Sequence, residues 1–427
     1  MIETVRNAWK IDDLRKKMTF TLFIIILFRV GSAIPVPFLD GEFLSLYMEA
    51  NTGTIFSYLN MLSGGAFAQG TLFAMSISPY INASIIIQLL TVAIPALERL
   101  SKEGDEGRKK LNTNTRYLTV AIALMQGYGY YAVLNASFYG MAFHEPGLRT
   151  AAVVVATLTA GTALLMWLAD QINQYGIGNG ISMILFAGIV SRGPGTLVGM
   201  VQSVIGGTLN PFIAILIVVG AVLLTSLVII VTNAERRVPV QYAKRVVGRK
   251  VYGGQSTHIP IKVNGTGVLP VIFAQSFLSI PSTITTFFPP RAGGFWDKFT
   301  SVFANDHPVY AVLYTLFIVG FSFFYISMTY NPVEIANNLK KNGGFVPGIR
   351  PGRPTSEYIS RILSKITFFG SWFLVFIAIL PIICTWFLPV NISLGGTTII
   401  ILVGVALETV KQMESMMLMR HYKGFLE

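Results

Sequence analysis

The chain is built from stretches of about 20 mainly apolar residues, the length that a helix needs to cross the roughly 30 Å hydrocarbon core of a bilayer. Short polar segments separate these stretches. The pattern predicts ten membrane spans, numbered here in chain order: residues 18–38, 72–95, 116–139, 148–170, 181–201, 211–232, 267–289, 308–330, 365–388 and 395–412. Pro79 interrupts the second span, and Arg192 with residues 193–195 cuts into the fifth.

The first span also has features of a secretory signal peptide, because Arg15-Lys16-Lys17 precedes it and Gly31-Ser32-Ala33 resembles a cleavage site. Prolines follow directly and nine further spans come after it. The pattern therefore favours an uncleaved first helix.

The basic residues fall on one side of these spans. Placing the N-terminus in the cytoplasm puts 27 of the 32 lysines and arginines in the segments on that side. Basic residues resist translocation, so this asymmetry predicts that both termini are cytoplasmic.

Composition supports a membrane protein and excludes several other classes. Charged residues make up 12% of the chain and apolar residues 53%, whereas about 25% of a soluble domain is charged. The net charge is +12, and Cys384 is the only cysteine, so no intramolecular disulfide is possible. The four histidines are too scattered to suggest a metal-ligand cluster.

The sequence contains no recognisable enzyme motif, phosphate loop or pair of intramembrane carboxylates. The glycines of residues 176–180 are interpreted as a tight turn between the fourth and fifth spans, since no strand precedes them. Arg29 is the ionisable residue well inside a span, which weakens the hypothesis of an ion-coupled transporter. Backbone carbonyls near Pro79 or Pro270 leave that hypothesis open.

Residues 54–67 form an apolar segment that is too short to cross the membrane. It lies on the external side between the first two spans. The segment is either an interfacial cap or a re-entrant element buried in protein.

Two cytoplasmic connections, residues 233–266 and 331–364, are long and basic. Loops of this length in a compact protein are usually functional. In the first, Gly248, Gly253 and Gly254 among β-branched residues predict a hairpin.

The turn-rich region near residue 205 divides five spans from five, giving two units, residues 1–205 and 206–427. An odd number of spans per half predicts that the halves insert with opposite orientation. The sequence thus predicts an all-α polytopic membrane protein with ten transmembrane helices in two inverted five-helix halves.

Several strings in this chain closely resemble the SecY family of bacterial protein-translocation channels. The resemblance covers nearly the whole chain, and the strings are residues 78–90 (SPYINASIIIQLL), 176–182 (GIGNGIS), 241–245 (QYAKR), 255–264 (QSTHIPIKVN), 331–332 (NP) and 344–352 (GFVPGIRPG). It implies a central pore between the two halves, which opens across the membrane for secreted chains and sideways into lipid for transmembrane segments.

The resemblance also implies roles for particular residues. The hydrophobic pore ring would be Ile77, Ile81, Ile181, Leu185, Ile272 and Ile401, where Leu185 departs from the isoleucine usual in the family and Ser276 is a less certain member. The plug that closes the pore from outside would contain Ile55, Phe56, Tyr58, Leu59, Asn60, Met61, Leu62, Ser63, Gly64 and Gly65. The lateral gate would lie between spans two and three and spans seven and eight, near Asn82, Gln88, Gln126 and Gln275.

The partners implied by the resemblance are the small membrane subunits SecE and SecG, the SecA motor ATPase, the ribosome, signal peptides, nascent chains and membrane lipid. Lys244, Arg245, Arg249, Lys250 and Arg350 would dock the cytoplasmic partners. The expected location is the bacterial cytoplasmic membrane, and neither a cofactor nor an enzymatic activity of the chain is expected. A membrane-embedded insertase or scaffold without a continuous pore is the remaining alternative.

Overall fold

The computed structural model describes residues 2–50, 60, 63–137, 142–143, 145–242, 245–247, 250–252, 256–287, 294, 299, 302–303, 307–387 and 396–423. Its helices are α1 Ile2–Trp9, α2 Asp12–Gly31, α3 Gly41–Ala50, α4 Ser78–Ala93, α5 Pro95–Lys102, α6 Asp105–Ser137, α7 Leu148–Tyr175, α8 Gly180–Ile205, α9 Pro211–Asn233, α10 Leu269–Phe287, α11 Pro308–Thr329, α12 Pro332–Lys341, α13 Arg353–Phe387 and α14 Gly396–Lys423. The strands are β1 Glu235–Tyr242, β2 Arg245–Val247, β3 Lys250–Tyr252, β4 Ser256–Lys262 and β5 Gly344–Phe345.

Each of the ten predicted spans coincides with a helix of the structure: α2, α4, α6, α7, α8, α9, α10, α11, α13 and α14. Within the described residues, five helices are long and apolar enough to cross a membrane by length and composition alone. The number rises to six if α4 and α5, which meet at a bend of 102°, are counted as one. The other predicted spans are helices that are shorter or carry charge near an end.

The second predicted span is interrupted near Pro79, as the sequence predicts, whereas the interruption predicted in the fifth span is wrong. Residues 72–77 form turns, and Pro79 occupies the first turn of α4, where its missing N–H has no helical partner to lose. The fifth span continues through residues 193–195 as one helix with Pro194 inside it, and α8 ends only at Ile205.

The two basic connections, residues 233–266 and 331–364, are more ordered than the loops the sequence predicts. The predicted hairpin is present: β1 and β4 pair antiparallel from Glu235 opposite Lys262 to Gln241 opposite Ser256, and β2 pairs with β3 farther along the hairpin. Residues 331–364 are not mainly a loop, because α12 and the first turns of α13 occupy most of that range.

A short strand joins the two connections. Phe345 of β5 pairs with Gln241, so the sheet runs in the order β4-β1-β5. Val238, Val240 and Ile261 of the hairpin pack against side chains of α12 and α13 in one hydrophobic cluster. The two predicted loops therefore form a single structural unit.

Two of the buried cores define two groups of helices. One contains side chains of α2, α7 and α8 together with the segment before α4, and the other contains side chains of α9, α10, α11, α13 and α14. The groups meet where α14 packs on α8 and where α6, which also packs on α7, contacts α10. A smaller cluster of aliphatic side chains fills the interface between the groups.

Candidate pore and its closing segment

Four helices contribute the aliphatic cluster at the interface. Leu185 of α8, Ile272 of α10 and Ile401 of α14 are buried there, and the half-buried Ile81 of α4 and Ile181 of α8 pack against them. Positions four apart lie on the same face of a helix, so the spacing of Ile181 and Leu185 directs both toward one place. The structure brings five of the six predicted ring residues together.

Ile77 is the predicted ring residue that lies outside this cluster. It is 2% exposed and belongs to the core of the first half, with Ile24 and Phe28 of α2. Ile81 and Ile181 contact both clusters, so Ile77 adjoins the interface without being part of it.

Two buried residues of the cluster were missed from the sequence. Ile189 follows Leu185 by four positions on α8, and Val405 follows Ile401 by four positions on α14. The same helical repeat that placed Ile181 with Leu185 could have found both.

The predicted plug is described at four of its residues. Asn60 and Ser63 are buried, at 7% and 0% exposed, and Gly64 and Gly65 have positive φ angles of 67° and 96°. A Cβ added to Gly64 would stand 2.9 Å from both Cα and O of Gly188, so the segment lies directly against α8 at this point. Six other predicted plug residues lie outside the described residues: Ile55, Phe56, Tyr58, Leu59, Met61 and Leu62.

Hydrogen bonds fix the segment around these residues. The Asn60 side-chain oxygen accepts from the N–H of Ala68 at 2.9 Å, and the Ser63 hydroxyl oxygen accepts from the N–H of Phe67 at 3.0 Å. The Tyr130 hydroxyl of α6 donates to the carbonyl of Phe67 at 3.3 Å, and the two rings meet edge to face. The described residues of the segment, 60 and 63–67, are thus buried or half-buried in the protein.

The predicted gate amides occupy different surroundings. Asn82 and Gln126 are half-buried on α4 and α6, which pack against each other. Gln88 donates to the Ser84 hydroxyl one turn away on its own helix at 3.1 Å. Gln275 hydrogen-bonds to Tyr310 of α11, within the second group of helices.

Three of the predicted docking residues lie in the unit formed by the two basic connections. Arg245 and Lys250 are on the paired strands β2 and β3, while Lys244 and Arg249 lie outside the described residues. Arg350 is exposed in the turn that follows β5. The Thr355 hydroxyl donates to its carbonyl at 2.9 Å, which fixes the backbone of that turn.

Side chains from three helices accept hydrogen bonds from the backbone of the glycine-rich turn between α7 and α8. The Thr21 hydroxyl accepts from the N–H of Ile177 at 2.9 Å, the Gln412 side chain accepts from Gly178 at 2.8 Å, and the Asn173 side chain accepts from Gly180 at 2.8 Å. The peptide N–H groups that a phosphate would need are already occupied, so the turn is structural.

Comparison with known proteins shows which family has this architecture. The family model described as SecY matches residues 71–410. The protein translocase subunit SecY of Streptomyces galbus is 45% identical over 440 residues, and that of Bacillus subtilis (strain 168) is 43% identical over 436 residues. Both alignments cover 100% of this chain and 100% of the relative.

Three solved structures share the fold. One described as "The structure of a protein conducting channel" has a TM-score of 0.66 at 20% identity, and one on the plug domain of the SecY protein has 0.65 at 19%. Each match covers 94% of this chain and 92% of the other. Sec61 in the canine ribosome-channel complex from the endoplasmic reticulum has a TM-score of 0.61 at 18% identity, with coverages of 94% and 92%.

Fold and site together define a multi-pass helical membrane protein of the channel class. Four of its helices share an aliphatic cluster, and a half-buried residue, Gly64, lies against one of them. The family match over residues 71–410 and the full-length identity to translocase subunits are decisive: the chain belongs to the SecY family. Membership defines a channel subunit and not an enzyme.

Proposed function

We propose that this chain is the pore-forming subunit of a protein translocase, which conducts unfolded polypeptides across a membrane and releases transmembrane segments sideways into lipid. The observation that carries the proposal is the aliphatic cluster contributed by α4, α8, α10 and α14 at the interface of the two helix groups. The full-length identity of 45% to a protein translocase subunit supports it.

Aliphatic side chains suit a pore that must close around many different sequences. They offer a moving peptide no hydrogen-bond partner that would retain it, and a narrow apolar constriction resists water and ions. Ile81, Ile181, Leu185, Ile272 and Ile401 form the constriction in this proposal, with Ile189 and Val405 as its continuation on α8 and α14. Ile77 supports Ile81 from the adjoining core.

The lateral opening is proposed between α4 and α6 on one side and α10 and α11 on the other. The contact between α6 and α10 supports this position, because it is a contact between the two helix groups of the molecule. The separate cores support the division into residues 1–205 and 206–427, with the halves inserted in opposite orientations.

The location proposed is the cytoplasmic membrane of a bacterium, with both termini in the cytoplasm. The asymmetry of 27 among 32 basic residues supports this orientation. The proposed partners are SecE, SecG, the SecA motor, the ribosome, signal peptides and lipid. The unit formed by the two basic connections supports a cytoplasmic docking role, since arginine and lysine suit contacts with phosphates and carboxylates.

The arrangement argues against an ion-coupled transporter. Asp170, a carboxylate at the cytoplasmic end of α7, forms an ion pair with Arg116 of α6 at 2.6 Å. A carboxylate held this way joins two helices, whereas a proton relay needs one that exchanges its proton near the midplane.

A crosslinking experiment tests the proposal. A photoreactive amino acid replaces Ile81 in the constriction or, as the control, Leu223, which is 64% exposed on the outer face of α9. With an arrested secretory chain, a crosslink from position 81 and none from position 223 is expected. Equal crosslinking at both positions, or none at 81, contradicts the proposed path.

A further inference from the structure

Arg29 lies in the last turn of α2, two residues before the helix ends at Gly31. Its guanidinium Nη1 donates to the Ser191 hydroxyl of α8 at 2.9 Å and lies 3.5 Å from the carbonyl oxygen of Gly64. The Ser191 hydroxyl in turn donates to the carbonyl of Gly188 at 2.7 Å. One cation therefore connects α2, α8 and Gly64 of the predicted plug, here called the external segment.

The position of Gly64 against α8 leaves no room for a side chain. The φ angle of 67° is in the left-handed region, and an added Cβ would meet the Ser191 hydroxyl at 3.0 Å as well as the backbone of Gly188. The close approach brings the carbonyl of Gly64 near the guanidinium of Arg29.

This contact is at the level of the constriction. Gly188 lies between Leu185 and Ile189 on α8, and both of these side chains are buried in the aliphatic cluster. A segment held against Gly188 is therefore next to the closed ring, and one that leaves Gly188 moves away from it.

The other end of the segment is anchored differently. Phe67 is 5% exposed, packs against Tyr130 and accepts a hydrogen bond from its hydroxyl, and Thr71 pairs with Pro35 in an isolated bridge. These contacts bury apolar surface, whereas Arg29 is exposed. The segment thus has a firm end at residues 67–71 and a polar, separable contact at Gly64.

We infer that Arg29 and Ser191 form a latch that holds the external segment against α8 at Gly64 and so keeps the resting channel closed. The inference rests on the proposed function. A charge-assisted hydrogen bond is strong enough to bias the resting state and weak enough to break when a polypeptide enters. Opening exchanges the bonds of the latch for bonds to water and leaves the anchor at Phe67 in place.

Ion conductance of the reconstituted complex without substrate tests the latch. Arg29→Gln and Ser191→Ala each remove a hydrogen-bond partner, and the control Arg149→Gln removes an exposed positive charge at the start of α7. We expect each latch variant to raise resting conductance about tenfold over the control, as expected for loss of one charge-assisted hydrogen bond. Arg29→Lys should fall between wild type and Arg29→Gln, because an ammonium keeps the charge without the planar fork.

The result is decisive even where one variant is unstable. Ser191→Ala removes only a hydroxyl, so it decides the question if Arg29→Gln does not assemble. Conductance of Ser191→Ala no higher than that of Arg149→Gln overturns the latch. Translocation of a signal-bearing substrate by the wild-type complex is measured in parallel: its absence overturns the proposed function, whereas normal translocation with tight Ser191→Ala channels overturns the latch alone.

Discussion

At the scale of single residues, the candidate site consists of those aliphatic side chains that are buried against one another, in contrast to the exposed ones on the outer faces of the same helices. Ile272 and Ile401 are 9% and 2% exposed, although each lies on a helix that is apolar along much of its length. β-Branched side chains are stiff at χ1, so a ring of isoleucines keeps its shape when empty. In the proposed pore, the seal is therefore a property of a few methyl groups at one level.

The first prediction concerns this ring. Ile81→Gly combined with Ile272→Gly should increase the resting ion conductance of the reconstituted channel, because the missing side chains leave a gap that admits water. The matched control is Ile215→Gly with Ile230→Gly, two isoleucines that are 63% and 66% exposed on α9. Conductance equal to that of the control would remove these residues from the seal.

The second prediction concerns a close contact between backbones. A Cβ on Gly161 would lie 2.1 Å from the carbonyl oxygen of Leu72, so Gly161→Ala must push α7 away from the segment before α4. We expect a loss of about 1–3 kcal/mol, as for other overpacked sites, measured as a lower melting temperature of the detergent-solubilised complex. Gly220→Ala on α9, where nothing lies within 4 Å, should leave it unchanged or raise it.

At the scale of elements, the length of the apolar stretches predicted where helices exist but not how proline would act in them. Pro79 and Pro194 are equally strong breakers in a sequence, yet one begins α4 and the other lies inside α8. The difference is positional, since proline costs no hydrogen bond in the first turn, and neighbouring groups can compensate for it inside a membrane helix. Only the packed structure distinguishes the two cases.

The third prediction concerns the predicted plug segment, residues 54–67, taken as one element. Deleting residues 57–65 should leave a folded channel with higher resting conductance, because Phe67 and Thr71 keep their contacts while the contact at Gly188 is lost. Conductance and the melting temperature are measured on the same preparation, with the wild-type complex as the reference. A tight bilayer from a folded deletion variant would mean that the segment does not close the pore.

At the scale of the whole molecule, the two basic connections act as one surface because β5 joins the sheet of the first connection. Val346 and Leu339 from the second connection are buried together with Val238 and Val240 from the first. A partner that docks on one connection is therefore mechanically coupled to two helices of the second group, since α9 leads into β1 and α13 follows β5.

The fourth prediction tests docking on this unit. Arg350→Glu should weaken motor-dependent secretion about tenfold, the factor that corresponds to ~1.4 kcal/mol of binding, with no change in melting temperature because the side chain is exposed. The difference from wild type should shrink as salt rises, because salt screens the electrostatic interaction that the reversal disturbs. Lys109→Glu, an equal charge reversal on α6, is the control. The same secretion by both variants would move the docking surface elsewhere.

The sequence by itself determined the ten helices, the membrane class and the family, because span length, charge placement and long motifs are local properties that each residue carries in order. The tertiary structure decided which side chains meet. Ile81, Ile272 and Ile401 come from helices far apart in the chain, and Ile189 joins them while Ile77 turns into the adjoining core. The contact of Arg29 with Ser191 and Gly64 likewise depends on three elements meeting, which no local pattern encodes.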